Sequence, residues 1–137
     1  MQSVAKMFIR QGDQYLFSRK RAPGKPVKDG KLELLGGKIE PGESRVQGLL
    51  RELREEERTG ILARKAETLP LRAEFLHLHG QDNFIYRMEI TPDELDDLEM
   101  DDEESYGYEM LGEADISDDP NRFTPKTLKI FRGLGMV

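Results

Sequence analysis

Three glutamates, Glu52, Glu55 and Glu56, have the residue type and spacing in this chain that best suit chemistry. They recur at i, i+3 and i+4, so at about 100° per residue they share one face of a helix. Like charges at this spacing cost a helix a few tenths of a kcal/mol, and a positive partner is expected to offset that cost. Hard divalent cations such as Mg²⁺ take oxygen ligands and commonly bridge one or two carboxylates to a substrate phosphate. The face is therefore either a Mg²⁺ site or a solvated acidic surface with arginine neighbours: Arg51, Arg54 and Arg58.

The helix that would carry these glutamates has a clear start and an apolar stripe. Pro41-Gly42 predicts a turn, and Ser44 with Gln47 three residues later predicts a capping box at the helix start. Apolar residues then recur at i, i+3, i+4 and i+7, which predicts packing against a core: Val46, Leu49, Leu50 and Leu53. The glutamates are predicted to lie beside this stripe rather than on it.

The stretch from Gly37 to Ile61 resembles the Nudix box, G-x5-E-x7-R-E-U-x-E-E-x-G-U, in which U is a bulky aliphatic residue. The match then departs from the pattern, because the last glycine and aliphatic residue, expected at positions 58 and 59, occur as Gly60 and Ile61. Two residues are inserted around Glu57-Arg58, which affects the helix end and the next loop but leaves the carboxylate face intact. The residues in register are Gly37, Glu43, Arg51, Glu52, Leu53, Glu55 and Glu56.

The resemblance implies a fold, an activity and a set of metal ligands. The Nudix fold is an α/β/α sandwich around a mixed β-sheet. The implied activity is hydrolysis of a nucleoside diphosphate linked to another group X, giving a nucleoside monophosphate and phosphorylated X, with Mg²⁺ as cofactor and Mn²⁺ as an alternative. The implied metal ligands are the carbonyl of Gly37 and the carboxylates of Glu43, Glu52, Glu55 and Glu56.

The resemblance also suggests which residues take part in catalysis, without choosing the general base. Arg51 is expected to orient a box glutamate rather than to contact substrate. The base is expected among Glu52, Glu55 and a glutamate outside the box, in the loop before a late strand. Glu104 or Glu103 has about the right position, within a run of nine acidic residues between positions 93 and 104.

Two basic residues are candidates for binding the substrate phosphates. Arg19, Lys20 and Arg21 end a predicted strand, where they either contact phosphate or carry the charge that keeps an edge strand from aggregating. Similar MutT-like proteins have a phosphate-binding arginine near this point, so Arg21 is preferred. Lys38 directly follows the glycine pair and is either a phosphate contact or a surface lysine.

The substrate itself is weakly specified. The stretch KLELLGGKIEPGES is similar to the MutT-like branch, although Leu35 replaces the usual proline. An asparagine that reads the purine in one member of that branch is missing from the corresponding residues, 124–127. We expect a (d)NTP or a small NDP-X substrate. The alternative, favoured only by the two-residue insertion, is a Nudix-fold nucleotide-binding or regulatory module without turnover.

The remaining pattern predicts one α/β domain over residues 1–137, with helices on both faces of a mixed sheet. A turn of residues 11–14 and another of residues 80–83 separate pairs of strands. A helix is predicted to start with Thr91 and Pro92, and the last helix is predicted to end with Gly133 as the C′ residue. The predicted strands cover residues 4–10, 15–20, 31–35, 69–79, 84–90 and 108–111, and the last helix covers 124–132.

The charge of the chain is unevenly distributed. The net charge is −6, yet residues 1–65 carry 15 Lys/Arg against 9 Asp/Glu. No aromatic residues alternate with these basic residues in a nucleic-acid-binding pattern, so a small phosphorylated substrate is expected rather than a long nucleic acid. With no cysteine present, a metal site built on His77 and His79 is disfavoured. No membrane span or leader is visible, so a cytoplasmic monomer or homodimer is expected.

Overall fold

The computed structural model describes residues 2–137, which form seven strands, five α-helices and one short 3₁₀ turn. The strands are β1 Ser3–Gln11, β2 Gln14–Lys20, β3 Leu32–Glu33, β4 Leu35–Lys38, β5 Glu74–Leu78, β6 Gln81–Glu89 and β7 Ser105–Leu111. The helices are α1 Arg45–Glu56, α2 Ile61–Glu67, α3 Pro92–Asp97, α4 Glu113–Asp118 and α5 Pro125–Gly133, with the 3₁₀ turn at Pro120–Arg122.

The seven strands form one mixed sheet in which β1 is the central element. The main path runs β3-β2-β1-β6-β5, while β4 pairs with β1 and β7 pairs with β2. The pairing of β1 with β6 is parallel, and the other strand pairs are antiparallel. The first half of β1 borders β4 and its second half borders β2, so the glycine-containing strand β4 is fixed against the middle of the molecule.

Alternate residues of β1 point to opposite faces of the sheet, and each face has its own core. On one face, Ala5, Met7 and Ile9 pack with the apolar side of α1. On the other face, Phe8 packs with aromatic residues brought by β2 and by the chain around α5, namely Phe17, Phe123 and Phe131. The α/β/α sandwich predicted from the resemblance is confirmed.

The start signals of the elements agree with the structure. The hairpin between β1 and β2 turns at Gly12, whose φ is 60°. Ser44 and Gln47 form the predicted capping box of α1, and Thr91 with Pro92 starts α3 as expected. These signals are local, because each depends on residues within three positions of one another.

The prediction of a strand over residues 69–79 is wrong for its first half, since β5 begins only at Glu74. Pro70 has no N–H with which to join a strand ladder. The chain before Glu74 therefore forms a connection from α2, and only the residues opposite β6 become a strand.

The turn predicted at residues 80–83 is also wrong, because the hairpin between β5 and β6 closes two residues earlier. His79 and Gly80 both have positive φ, at 48° and 77°, as a two-residue hairpin turn requires. The strand β6 therefore starts at Gln81 rather than at Phe84.

The last helix starts as predicted and ends later. Thr124 accepts a hydrogen bond from the N–H of Thr127, and Pro125 is the first helical residue. Gly133 lies inside α5 and is not its C′ residue, so that prediction is wrong. The left-handed glycine at this end of the chain is Gly135, with φ 74°.

Two short helices, α2 and α4, are not predicted by the sequence pattern. Helices of six or seven residues are not stable alone in water, so their sequences carry little helical signal. Packing stabilises α2 instead, because Leu62, Ala63 and Ala66 are buried in the core beside α1. Ile116 similarly anchors α4 in the aromatic core.

Candidate active site

The glycine pair that precedes the box helix lies within β4 and must be glycine at both positions. Gly36 has φ +113°, and a Cβ atom there would be 2.2 Å from the carbonyl oxygen of Ala5. A Cβ atom on Gly37 would be 2.6 Å from the carboxyl carbon of Glu52. The two glycines thus allow β4 to contact β1 on one side and a box glutamate on the other.

Glu56 is buried, which corrects the prediction that all three glutamates lie beside the apolar stripe. Counting from Leu49 as i, Leu53 is i+4 and Glu56 is i+7, so Glu56 lies on the same buried face of α1 as the two leucines. It is 7% exposed. Its carboxylate accepts a 2.7 Å hydrogen bond from the N–H of Gly36. Burial raises the pKa of Glu56 to about 8, with Lys6 acting in the opposite direction.

Arg51 holds the other box carboxylates together. Its guanidinium donates to Glu43 at 2.9 Å, to Glu52 at 3.1 Å and to Glu55 at 3.2 Å. It also donates to the backbone carbonyl of Lys38 at 2.8 Å, which ties the helix to the end of β4. One cation therefore offsets the repulsion between Glu52 and Glu55, while Glu56 accepts from Gly36 instead.

The electrostatic environments of these carboxylates differ. The hydrogen bond from Arg51 lowers the pKa of Glu43 below its usual range. Burial raises the pKa of Glu52 despite its bond to Arg51. Glu55 is the most exposed of the set, with 51% of its side chain accessible. Glu52 and Glu56 are thus the partly desolvated carboxylates, while Glu43 is tied to Arg51.

A cavity of 460 Å³ lies between β4, α1 and the first turn of α5. Gly36, Gly37 and four acidic residues line it: Glu33, Glu52, Glu56 and Glu104. Six lysines line the same cavity: Lys6, Lys20, Lys28, Lys38, Lys126 and Lys129. A pyrophosphate substrate bound with a divalent cation needs both kinds of charge.

The donor set of the acidic side suits a hard cation. Glu52 and Glu56 both line the cavity beside Gly37, and carboxylate and carbonyl oxygens are the ligands that Mg²⁺ prefers. Over residues 2–137, no group of three or more acidic or histidine side chains is close enough to enclose a metal ion by itself. Since Mg²⁺ is usually held by one or two carboxylates, waters and substrate phosphate, two cavity-lining glutamates fit it.

Glu104 lines the cavity, whereas Glu103 and Arg21 do not. The Arg21 guanidinium lies 5.4 Å from the ring centre of Tyr106 and donates to the carbonyl of Asp102 at 3.0 Å. Arg21 therefore supports the segment that carries Glu104, and its neighbour Lys20 reaches the cavity instead.

The two inserted residues, which the sequence analysis did not assign a role, fasten the acidic segment to the end of α1. Glu57 is 1% exposed, and its carboxylate accepts from the N–H groups of Gly60 and Glu99 at 3.0 Å each. Arg58 donates to Asp102 at 3.3 Å. The only sequence signal for this arrangement was opposite charge, an inserted arginine and a distant acidic run.

The remaining candidates lie elsewhere. His77 contacts Asp82 at 2.8 Å on the exposed side of β5, and His79 forms the turn that follows. A larger cavity of 560 Å³ lies between Phe8, Arg87 and the chain before β5. None of the side chains proposed for catalysis, metal or substrate binding lines it.

The fold and this cavity define a class of α/β proteins that bring a glycine-containing strand and a glutamate-bearing helix together. A family model described as NUDIX domain matches residues 2–132. The chain therefore belongs to the Nudix family, and its enzyme class is that of the Nudix-type pyrophosphohydrolases.

Solved structures with the same fold share little sequence with this chain. DR0079 from Deinococcus radiodurans has a TM-score of 0.74 at 18% identity, over 95% of this chain and 80% of that chain. A MutT protein from Methanosarcina mazei Go1 has a TM-score of 0.62 at 18% identity, over 94% and 88%.

A third similar structure is larger than this chain. It is a bifunctional NMN adenylyltransferase/ADP ribose pyrophosphatase from Francisella tularensis, complexed with AMP and a Mn ion. It has a TM-score of 0.66 at 16% identity over 95% of this chain and 39% of that chain.

A search of curated protein sequences gave no significant match. Within residues 2–137, no helix has the length and apolar character needed to cross a bilayer.

Proposed function

We propose that the protein is a Mg²⁺-dependent hydrolase that cleaves the pyrophosphate linkage of a nucleoside diphosphate-X substrate, with a (d)NTP or a small NDP-X preferred. The observation that carries the proposal is the cavity in which Glu52 and Glu56 lie beside Gly37 and share the space with six lysines. Carboxylates alone would repel a phosphorylated substrate. A cation held by the carboxylates, together with the lysines, makes the site complementary to it.

Some of the side chains are proposed to bind the metal ion, and others to orient the residues that bind it. A bound divalent cation would neutralise phosphoryl oxygens and lower the pKa of the attacking water. Glu52, Glu56 and the carbonyl of Gly37 would hold it, and Glu55 is proposed as a further ligand from the exposed side of α1. Glu43 and Arg51 act as positioning residues, because Glu43 fixes the guanidinium that contacts Glu52 and Glu55.

The general base is proposed among residues that can approach water near the cation. Glu52 and Glu104 both line the cavity, whereas Glu55 does not line it, is exposed and is bonded to Arg51. Glu104 comes from the segment fastened by Arg21, so its position relative to the helix is supported from outside the box. A glutamate that is free of the metal is the better proton acceptor, which favours Glu104.

The nucleotide part of the proposal is supported by chemistry and by likeness. The bifunctional Francisella tularensis protein, part of which shares this fold, is complexed with AMP and a Mn ion, which supports a nucleotide and a divalent cation as ligands to test here. In this chain Lys38 and Lys20 are proposed to contact phosphate, since both line the cavity. Arg21 is proposed to act through its neighbours.

The experiment is product analysis over a nucleotide panel with and without Mg²⁺ or Mn²⁺, using wild-type protein and the Glu52→Gln variant. We expect nucleoside monophosphate to be released only with a metal, and the variant to lose most turnover. The exposed variant Glu67→Gln is the matched control. If no nucleotide is hydrolysed while nucleotide still binds, the protein is a Nudix-fold binding module and the proposal is wrong.

A further inference from the structure

Four of the six lysines of this cavity have ammonium groups with no partner among residues 2–137, and this points to how the substrate is recognised. Lys20 lies 3.6 Å from Glu33, and Lys6 donates to the carbonyl of Gly36 at 3.0 Å. The other four ammonium groups form no hydrogen bond or ion pair with residues 2–137: Lys28, Lys38, Lys126 and Lys129. Unpaired cations that line one cavity create a positive potential that attracts an anionic ligand.

Lys126 and Lys129 are partly buried, whereas Lys28 and Lys38 are exposed. Lys126 lies in the first turn of α5 and faces the cavity. Burial lowers the pKa of Lys126 to about 8, and the nearby ammonium groups of Lys6 and Lys38 act in the same direction. A phosphate group beside Lys126 would reverse both effects.

The same cavity offers little with which to read a nucleobase. None of its lining residues is aromatic, and none is asparagine or glutamine. The one hydroxyl, that of Thr124, is 2.7 Å from the hydroxyl of Thr127 and also accepts from that residue's N–H. Base recognition usually needs a stacking surface or an amide aligned with the base edge.

We propose that this site selects its substrate by phosphate charge rather than by base, so that chains of three or more phosphates are preferred and Lys126 contacts the phosphates beyond the cleaved linkage. This inference rests on the proposed function and narrows group X to phosphate or polyphosphate. It predicts similar kcat/KM for triphosphates with different bases, because the base lies outside the charged cavity. It also predicts poor use of an NDP-X whose X has no phosphate beyond the linkage.

The variant Lys126→Gln tests the proposal, with Lys126→Arg to restore the charge. One charge-assisted contact corresponds to an expected loss of about 10- to 100-fold in kcat/KM for triphosphates. Turnover of ADP-ribose should change by less than about threefold, so that the preference for triphosphates disappears. Lys25→Gln removes the same charge from an exposed loop outside the cavity and should leave both substrates unaffected.

A binding measurement separates failure of this inference from failure of the proposed function. Inorganic tripolyphosphate is titrated calorimetrically into wild-type protein and into the same variants, all in the presence of saturating Mg²⁺. Tripolyphosphate binding that weakens in Lys126→Gln and recovers in Lys126→Arg supports the lysine site even if hydrolysis is not observed. Equal losses for triphosphates and ADP-ribose, strong discrimination among the four bases, or unchanged tripolyphosphate binding in Lys126→Gln would each overturn it.

Discussion

Replacement of Glu57 would show whether the inserted residues stabilise the fold rather than act in catalysis. The buried carboxylate of Glu57 accepts from the backbone N–H groups of Thr59, Gly60 and Glu99 at 3.0 Å each, and from the Thr59 hydroxyl at 2.7 Å. These bonds close the turn after α1 and attach residue 99 to it. In Glu57→Ala the donors lose their shared acceptor.

The expected cost follows from the number and type of these bonds. A hydrogen bond to a charged group contributes about 1.5–3 kcal/mol, and such contributions do not add fully. The donors at the surface of the turn can form hydrogen bonds with water instead. We therefore expect Glu57→Ala to lose about 3 kcal/mol of the free energy of unfolding. A natural domain has about 5–15 kcal/mol in total, so this loss is large.

Glu57→Gln keeps the volume but turns one oxygen into an amino group. That group would face N–H donors that it cannot satisfy, so we expect a loss of about 2 kcal/mol rather than a rescue. The exposed variant Glu67→Gln removes only a surface contact with Arg54 and should cost less than about 0.5 kcal/mol.

Urea unfolding followed by circular dichroism measures these differences. If the free energy of unfolding decreases by about 2 kcal/mol per M urea, the unfolding midpoint of Glu57→Ala should fall by about 1.5 M. Turnover is measured in parallel under conditions where each variant is folded. If the Glu57 variants unfold at the same urea concentration as the wild type but lose turnover by orders of magnitude, the reasoning is refuted, since Glu57 would then act in catalysis.

Three further predictions concern the box itself. Glu55→Gln and Glu56→Gln should each lower kcat by about 100-fold or more with the circular dichroism spectrum retained, and near-wild-type turnover in both would mean that the metal site lies elsewhere. Because the folded pKa of Glu56, about 8, exceeds its unfolded value, its stabilising contribution to the metal-free protein is complete below about pH 4.5 and is lost as pH rises to about 8. The urea midpoint of the wild type should fall over that range, and the midpoint of Glu56→Gln should show little dependence on pH. The affinity for Mg²⁺ or Mn²⁺, measured by calorimetry, should rise with pH because the proton must leave Glu56 before the metal binds. Gly37→Ala should lower kcat by about 100-fold because its Cβ would displace the Glu52 carboxylate, while Gly112→Ala, whose nearest contact is 3.5 Å, should not.

Sequence reasoning succeeded where the signal was local. The capping box of α1 depends on Ser44 and Gln47 alone, and the hairpin between β1 and β2 depends on one short turn. The box glutamates could be placed on a helix for the same reason, whereas Gly37 lies in the strand β4 and not in the turn expected from the sequence. Such features depend on a few consecutive residues, so the sequence carries all the information that they need.

Tertiary packing decided what the sequence could not. Glu56 looks like a surface charge by residue type, yet its position after Leu49 and Leu53 places it on the buried line of α1. The choice of Lys20 over Arg21 at the cavity depends on how β7 pairs with β2, which no short window of sequence records. The lysines of α5 and of β1 meet only after the sandwich has formed.

The hydrogen bonds that Arg51 makes to the box carboxylates predict how the stability of the protein responds to chelators. Because the Arg51 guanidinium already bonds three carboxylates and offsets part of their repulsion, the acidic face forms without a metal. Treatment with EDTA should therefore abolish turnover and leave the unfolding temperature nearly unchanged, unlike a zinc finger, which unfolds when its ion is removed.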